Sequence, residues 1–247
     1  MTACIESWKQ QCPDYAVVEW NEGNWDVQKY PYAYDAYKEG KWAFVSDVAR
    51  LDIVCSQGGI YLDTDVELKN NLDSLLDYEG FLFFEFESRL ATGLGFGAVQ
   101  GHPFISAMLN DYRTRNFYNA DGTLNLEACT YYNTDALIRF YPKIELNDQH
   151  QEYDGFALLS TGEYNRLASH HYASSWTADP KTEITEKRVW KDTRLKRFLR
   201  DSRKQMWIRT RFGYRTQKIY EFIAYDLLEA GPVYFLKRAI KKIRNKV

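Results

Sequence analysis

Apolar residues recur at helical spacing from Phe44, with Phe44, Val48, Leu51 and Cys55 at i, i+4, i+7 and i+11. This stripe predicts a core-facing helix, and Gly58-Gly59 suit its C-cap and the turn beyond. Ile60-Tyr61-Leu62 then reads as a short buried strand, with the polar turn Asp63-Thr64-Asp65 at its carboxyl end. Upstream, Ala3–Gln11 reads as a helix, Tyr15–Trp20 as a strand, Asn21–Asn24 as a turn and Tyr30–Lys41 as a second helix. Downstream, Leu72–Leu76 is expected to pack behind the acidic turn. Gly80–Phe86 is an almost continuous apolar strand, as a buried parallel sheet requires. His102-Pro103 begins a helix running to about Arg115, with Pro at the first helical position. Phe156–Ser160 is a further strand. Strands interleaved with helices predict an α/β domain, and 247 residues that are 45% hydrophobic suffice for one sizeable core.

The chemistry begins at the polar turn. Asp63 and Asp65 are two apart, so in an extended turn both carboxylates can point the same way. In open α/β sheets, ligands sit outside the carboxyl ends of strands. Hard carboxylate oxygens there suit Mg²⁺ or Mn²⁺, with water or a diphosphate completing the shell. The bland alternative is a solvated turn or a helix cap. On the preceding helix, Asp47 and Arg50 are three apart and share a neighbouring face. Thr92–Gly97 is glycine-dense but lacks both GxGxxG spacing and a following Gly-Lys-Ser/Thr, so it reads as a tight loop where backbone approaches closely. Glu85 reads as a paired structural carboxylate, His102 as a surface or capping residue, and Asn133-Thr134-Asp135 as an N-cap or, alternatively, part of an acceptor site.

Ser46-Asp47-x-x-Arg50 followed by Gly58-Gly59-x-Tyr61-x-Asp63-x-Asp65 closely resembles the DxD region of glycosyltransferases with the sugar-binding DXD motif. This is family 32, which includes bacterial capsular-polysaccharide transferases and yeast mannosyltransferases, with the large clostridial glucosylating toxins as distant relatives. The resemblance runs from about Cys4 to Trp176. It implies a GT-A-like nucleotide-sugar-binding fold, a mostly parallel sheet flanked by helices. It also implies retaining transfer of a hexose from a nucleotide-diphosphate sugar to a saccharide or lipid-linked saccharide acceptor in surface-polysaccharide or glycolipid synthesis. Asp47 and Arg50 would position donor sugar or ribose hydroxyls, and the glycine loop would lie beneath the sugar. Asp63 and Asp65 would hold Mn²⁺ or Mg²⁺ (Asp63 alternatively acting through water or ribose). The late cluster Ser169–Trp176 resembles the family's closing segment: by its spacing His171 is the third metal ligand, with Ser174 and Trp176 on the diphosphate. Family members carry a further strand ahead of the first helix, of the Ile-Pro-Lys-Ile-Ile-His type, which helps hold the base. It is absent here, so an open sheet edge is expected.

Charge divides the chain. Residues 1–186 hold 13 Lys+Arg and 29 Asp+Glu, whereas residues 187–247 hold 19 and 5. We therefore expect a catalytic domain over 1–186 and a basic helical extension over 187–247. Its last helix follows Pro232, with Val233, Leu236, Ile240 and Ile243 on one face and Lys237, Arg238, Lys241 and Lys242 among the charges beside it. Such a helix suits an anionic membrane surface; no nucleic-acid motif accompanies it. Four cysteines without CxxC spacing, no signal peptide and no apolar run of the roughly 18–20 residues needed to span lead to the expectation of a cytoplasmic protein, peripheral on the inner face of a bacterial plasma membrane. Two other readings stand beside the transferase. One is a catalytically degenerate membrane-bound scaffold. The other is a phosphohydrolase of the haloacid-dehalogenase type, with Asp63 as nucleophile, but no clear acidic pair follows Asp65 to serve it.

Overall fold

A computed structural model describes residues 2–85 and 89–171 of the 247. α1 (Thr2–Gln11) leads into the predicted Asn21–Asn24 turn, closed by Asn24 N–H on Asn21 O at 3.1 Å. α2 (Pro31–Lys38) starts on Pro31, whose fixed φ suits the first helical position. It stops where Gly40 takes a left-handed φ of 64°. α3 (Trp42–Gln57) follows and ends at Gly58, whose N–H bonds Val54 O at 2.9 Å. After it come β1 (Gly59–Tyr61), the acidic turn, and β2 (Val66–Leu68). A 3-10 turn at Asp73–Leu75, like the one at Val27–Lys29, is one turn long, and it buries Leu72 and Leu75, as the apolar spacing there suggests. The remaining elements are β3 (Gly80–Glu85), β4 (Arg89–Leu90), β5 (Phe96–Ala98), α4 (Pro103–Arg113), α5 (Cys129–Phe140), β6 (Gln151–Tyr153), β7 (Phe156–Leu159), α6 (Thr161–Leu167) and β8 (Ala168–His170).

The main sheet runs β1-β5-β3-β7-β6, with β4 on the end of β3 and a separate β2-β8 ribbon. It is α/β, but mixed rather than mostly parallel. Among the described strands only β3 and β7 pair in parallel; β1–β5, β3–β5, β3–β4, β6–β7 and β2–β8 are antiparallel. The continuous apolar run of β3 reports burial on both faces, not strand direction. Leu82 and Phe84 face the core built with α2, α3, α4 and α5, while Phe81 and Phe83 face a second core with Val66, Leu68, Leu75 and Tyr164. Complete burial of Leu82 and Phe84 contributes roughly 1.5–3 kcal/mol each. β4 and β5 both run antiparallel to β3, and among the described residues no crossover helix stands between β3 and β5 in the chain.

Two local expectations change. Tyr15–Trp20 forms no strand; Val17, Val18 and Trp20 remain 45%, 62% and 40% exposed. Apolar content there is not matched by a neighbouring strand among the described residues, and β1, paired only with β5, lies at the sheet edge. Asn133 and Thr134 are not an N-cap but lie buried inside α5, whose N-cap is Ala128. The Thr134 hydroxyl donates to Thr130 O, four residues back, at 2.7 Å and accepts from Leu90 N–H at 3.2 Å. His102 does cap α4, its Nδ1 accepting from Phe104 N–H at 3.3 Å, but from a buried position.

One ion cluster ties β6 to α6. His150 Nδ1 lies 2.7 Å from Glu163 Oε1 and its Nε2 lies 3.0 Å from Glu152 Oε1. Glu163 also closes the capping box with Ser160. The bond to Glu163 raises the His150 pKa. A raised folded-state pKa means His150 contributes fully below about pH 6.5, its unfolded value, and progressively less as pH climbs through the folded one. His150→Ala is therefore expected to lower Tm in mildly acidic buffer and to lose the difference toward alkaline pH. Tm profiles of the two proteins that superimpose across that range would dismiss the contribution.

Candidate functional site

α3 carries the first half of the site. Asp47 and Arg50, one turn apart, are both buried, and Arg50 Nη2 donates to Asp47 Oδ1 at 2.8 Å. Arg50 also donates from Nε to Ser46 O at 3.0 Å and from Nη2 to Ser46 Oγ at 2.9 Å, which fixes its fork. Burial raises the Asp47 pKa to about 6, against the downward pull of Arg50 and of the Cys129 thiol. Burial likewise opposes the Arg50 charge, but Asp63, Tyr61 and Asp47 together hold it protonated.

The second half is the turn after β1. Arg50 Nη1 is 3.3 Å from Asp63 Oδ1, and the Tyr61 hydroxyl donates to the same oxygen at 2.7 Å. The guanidinium also lies 5.1 Å from the centre of the Tyr61 ring. Tyr61 and Asp63 flank Leu62, and their i, i+2 spacing is the signal that pairs them. The glycine loop abuts this group. A Cβ on Gly93 would stand 2.8 Å from Asp63 Oδ2 and 3.3 Å from Arg50 Nη1, so only glycine lets the backbone come so close. Asn133 Nδ2 donates to Thr92 Oγ1 at 3.2 Å and so anchors the loop from α5.

Asp65 opens β2, opposite β8. His170 Nε2 is 3.0 Å from Asp65 Oδ1, and one ligand atom from each of Asp63, Asp65 and His170 lies within 4.8 Å of the others. His171 does not join them. Its Nε2 is 2.9 Å from Glu67 Oε2 on an exposed face, and its N–H bonds Asp65 O at 3.0 Å. Successive strand residues point to opposite faces, so a shift of one position exchanges an inward imidazole for an outward one. Ala168, two residues before His170, is buried, and that parity is the signal marking His170 as the inward histidine. Two carboxylates and an imidazole suit Mn²⁺ or another divalent ion of intermediate softness. Glu85 stands opposite Arg89 in the β3–β4 ladder and is not among this cluster's three members. Ser174 and Trp176 lie outside the described residues, as does the 187–247 extension.

Comparison with known proteins bears on the same segment. Residues 1–82 match the family described as "Glycosyltransferase sugar-binding region containing DXD motif". Mannosyl phosphorylinositol ceramide synthase CSH1 of Saccharomyces cerevisiae is 29% identical over 129 residues, which is 46% of this chain and 33% of that protein. Inositol phosphoceramide mannosyltransferase 3 of Schizosaccharomyces pombe is 33% identical over 99 residues, 38% of this chain and 27% of that one. The chain thus spans about a third or less of the length of these relatives. No solved structure matches. The phosphohydrolase alternative gains nothing from these matches, which cover Asp47, Arg50, Asp63 and Asp65 under one family pattern. Residues 1–82 of this chain are thus similar to a glycosyltransferase sugar-binding region containing a DXD motif.

Proposed function

We propose that the chain transfers a hexose, mannose first among candidates, from a nucleotide-diphosphate sugar to the headgroup of a membrane glycolipid, using a divalent metal. The carrying observation is the gathering of Asp63, Asp65 and His170 beside Arg50, whose buried Nη1 is ion-paired with Asp63 Oδ1 at 3.3 Å but makes no hydrogen bond, and which abuts Gly93. A buried guanidinium N–H without an acceptor is costly unless a ligand oxygen supplies one. Asp63, Asp65 and His170 would hold the metal, which when bound offsets charge on the departing diphosphate. Arg50 and Asp47 orient sugar hydroxyls. Ser174 and Trp176 remain the proposed diphosphate donors. Retention follows from front-face displacement, in which the acceptor hydroxyl attacks on the side the diphosphate leaves. The activities named for the fungal relatives favour a phosphoinositol-bearing sphingolipid acceptor over a capsular polysaccharide. The basic extension 187–247 is proposed to meet the anionic membrane that carries it.

The test uses the full chain, a panel of nucleotide sugars including the mannose nucleotide, a short-chain phosphoinositol sphingolipid, and Mn²⁺ with or without chelator. Transfer should require the metal. His170→Ala should weaken Mn²⁺ binding by roughly 10–100-fold, while His171→Ala stays within about twofold. No transfer from any donor would sink the proposal. Loss of Mn²⁺ affinity in the His171 variant instead of the His170 variant would reassign the third ligand.

A further inference from the structure

Four helices supply polar groups that interact with the Asp47 carboxylate or carry it. Tyr32 comes from α2, Asp47 from α3, Tyr112 from α4 and Cys129 from α5. Tyr32 and Tyr112 are 1% and 2% exposed, and their rings meet edge to face with centres 5.1 Å apart. Neither hydroxyl has a hydrogen-bond partner among the described residues. Both lie within electrostatic reach of the Asp47 carboxylate and the Cys129 thiol. Phenylalanine would fill the same space with no polar atom to satisfy, so two unsatisfied hydroxyls on touching rings, both within electrostatic reach of one buried carboxylate, call for a shared partner. Proteins meet this need with internal water, which takes two to four polar neighbours.

We propose that Tyr32 and Tyr112 are positioning residues: with Asp47 they hold an internal water that fixes the Asp47 carboxylate and, through it, the aim of Arg50. Their effect on transfer rests on the function proposed above; their effect on stability does not. The arrangement explains why an otherwise aromatic helical layer keeps two hydroxyls where Tyr32 also packs on Phe117. It gives the Asp47 carboxylate an uncharged hydrogen-bonding neighbour in addition to Arg50.

The test compares Tyr32→Phe, Tyr112→Phe and the double variant of the full chain, and its first readout is a sign. Hydroxyls that bond water make their loss destabilising, with Tm expected to fall by about 2–4 °C per site. Hydroxyls that bond nothing make it neutral or stabilising. An unchanged or raised Tm in both single variants overturns the proposal, whether or not the chain transfers sugar. The second readout is kinetic. Each Phe variant should lower kcat by about tenfold with little change in acceptor KM, and in an Asp47→Asn background the Phe substitution should add almost nothing. Lowered Tm with unchanged kcat would reduce the pair to a structural role and also overturn the proposal. Wild-type chain inactive on every donor would defeat the proposed function while leaving the Tm comparison intact.

Discussion

Asp65→Asn is expected to abolish metal-dependent donor binding and lower transfer by at least about 10²–10³-fold, while Tm stays within a few degrees of wild type. The size follows from charge. Asp65 supplies one of two anionic oxygens in a three-member cluster, and a neutral amide is a poor ligand for a divalent ion. The small stability cost follows from location: Asp65 sits in the turn that opens β2, only partly buried, and its backbone O still accepts the His171 N–H. Asn also keeps an oxygen for His170 Nε2. Asp63→Asn is the less clean substitution, because Asp63 also accepts from Tyr61 and pairs with Arg50, so its loss disturbs α3 as well as the metal. Calorimetric Mn²⁺ titration with a transfer assay checks the outcome. Full transfer by Asp65→Asn in excess chelator would remove the metal from the mechanism.

The same residues show what a sequence discloses. The helix under Asp47 and Arg50 was legible because its apolar stripe and its Gly58 stop are both local signals, and α3 runs from Trp42 to Gln57 with Gly58 as its cap. The acidic turn was legible because a strand ending in two carboxylates makes little sense as packing. The direction of the sheet was not. Whether β3 pairs in parallel with β7 or antiparallel with β5 depends on how long the connections are and where they run, and the run Gly80–Glu85 looks alike in either case. Nor was the choice between His170 and His171, because it turns on strand parity set by the distant pairing of β8 with β2 in register Val66↔His170. Tyr15–Trp20 reads as a strand by composition, yet strand formation needs a neighbour that composition cannot supply. The cluster of Tyr32, Tyr112 and Cys129 around Asp47 was invisible for a related reason: four separate helices bring it together, and each residue taken alone looks like ordinary core.

Arg50→Ala should be the most damaging change on α3, costing both the fold and the chemistry. Removing the guanidinium leaves Asp47 buried without its cation, and breaking a buried pair in this way costs about 3–5 kcal/mol. Asp47, already raised to about 6 by burial, would rise further and take up a proton near neutral pH. Asp63 would keep only the Tyr61 hydroxyl as a support on that side. Transfer should fall roughly tenfold to a thousandfold from loss of oriented contacts. Asp47→Ala should be milder in stability, because Arg50 retains Asp63 and Ser46 as partners. Arg50→Lys separates charge from shape: a lysine restores a cation near Asp47 but cannot reproduce the fork that reaches Ser46, Asp47 and Asp63 at once. It should therefore recover most of the lost Tm but little of the lost kcat/KM. Kinetics with the donor varied, alongside thermal unfolding of all three variants, measure both quantities. If Arg50→Lys restores transfer as fully as it restores stability, Arg50 acts as a structural counter-ion and its proposed contact with the donor sugar is gone.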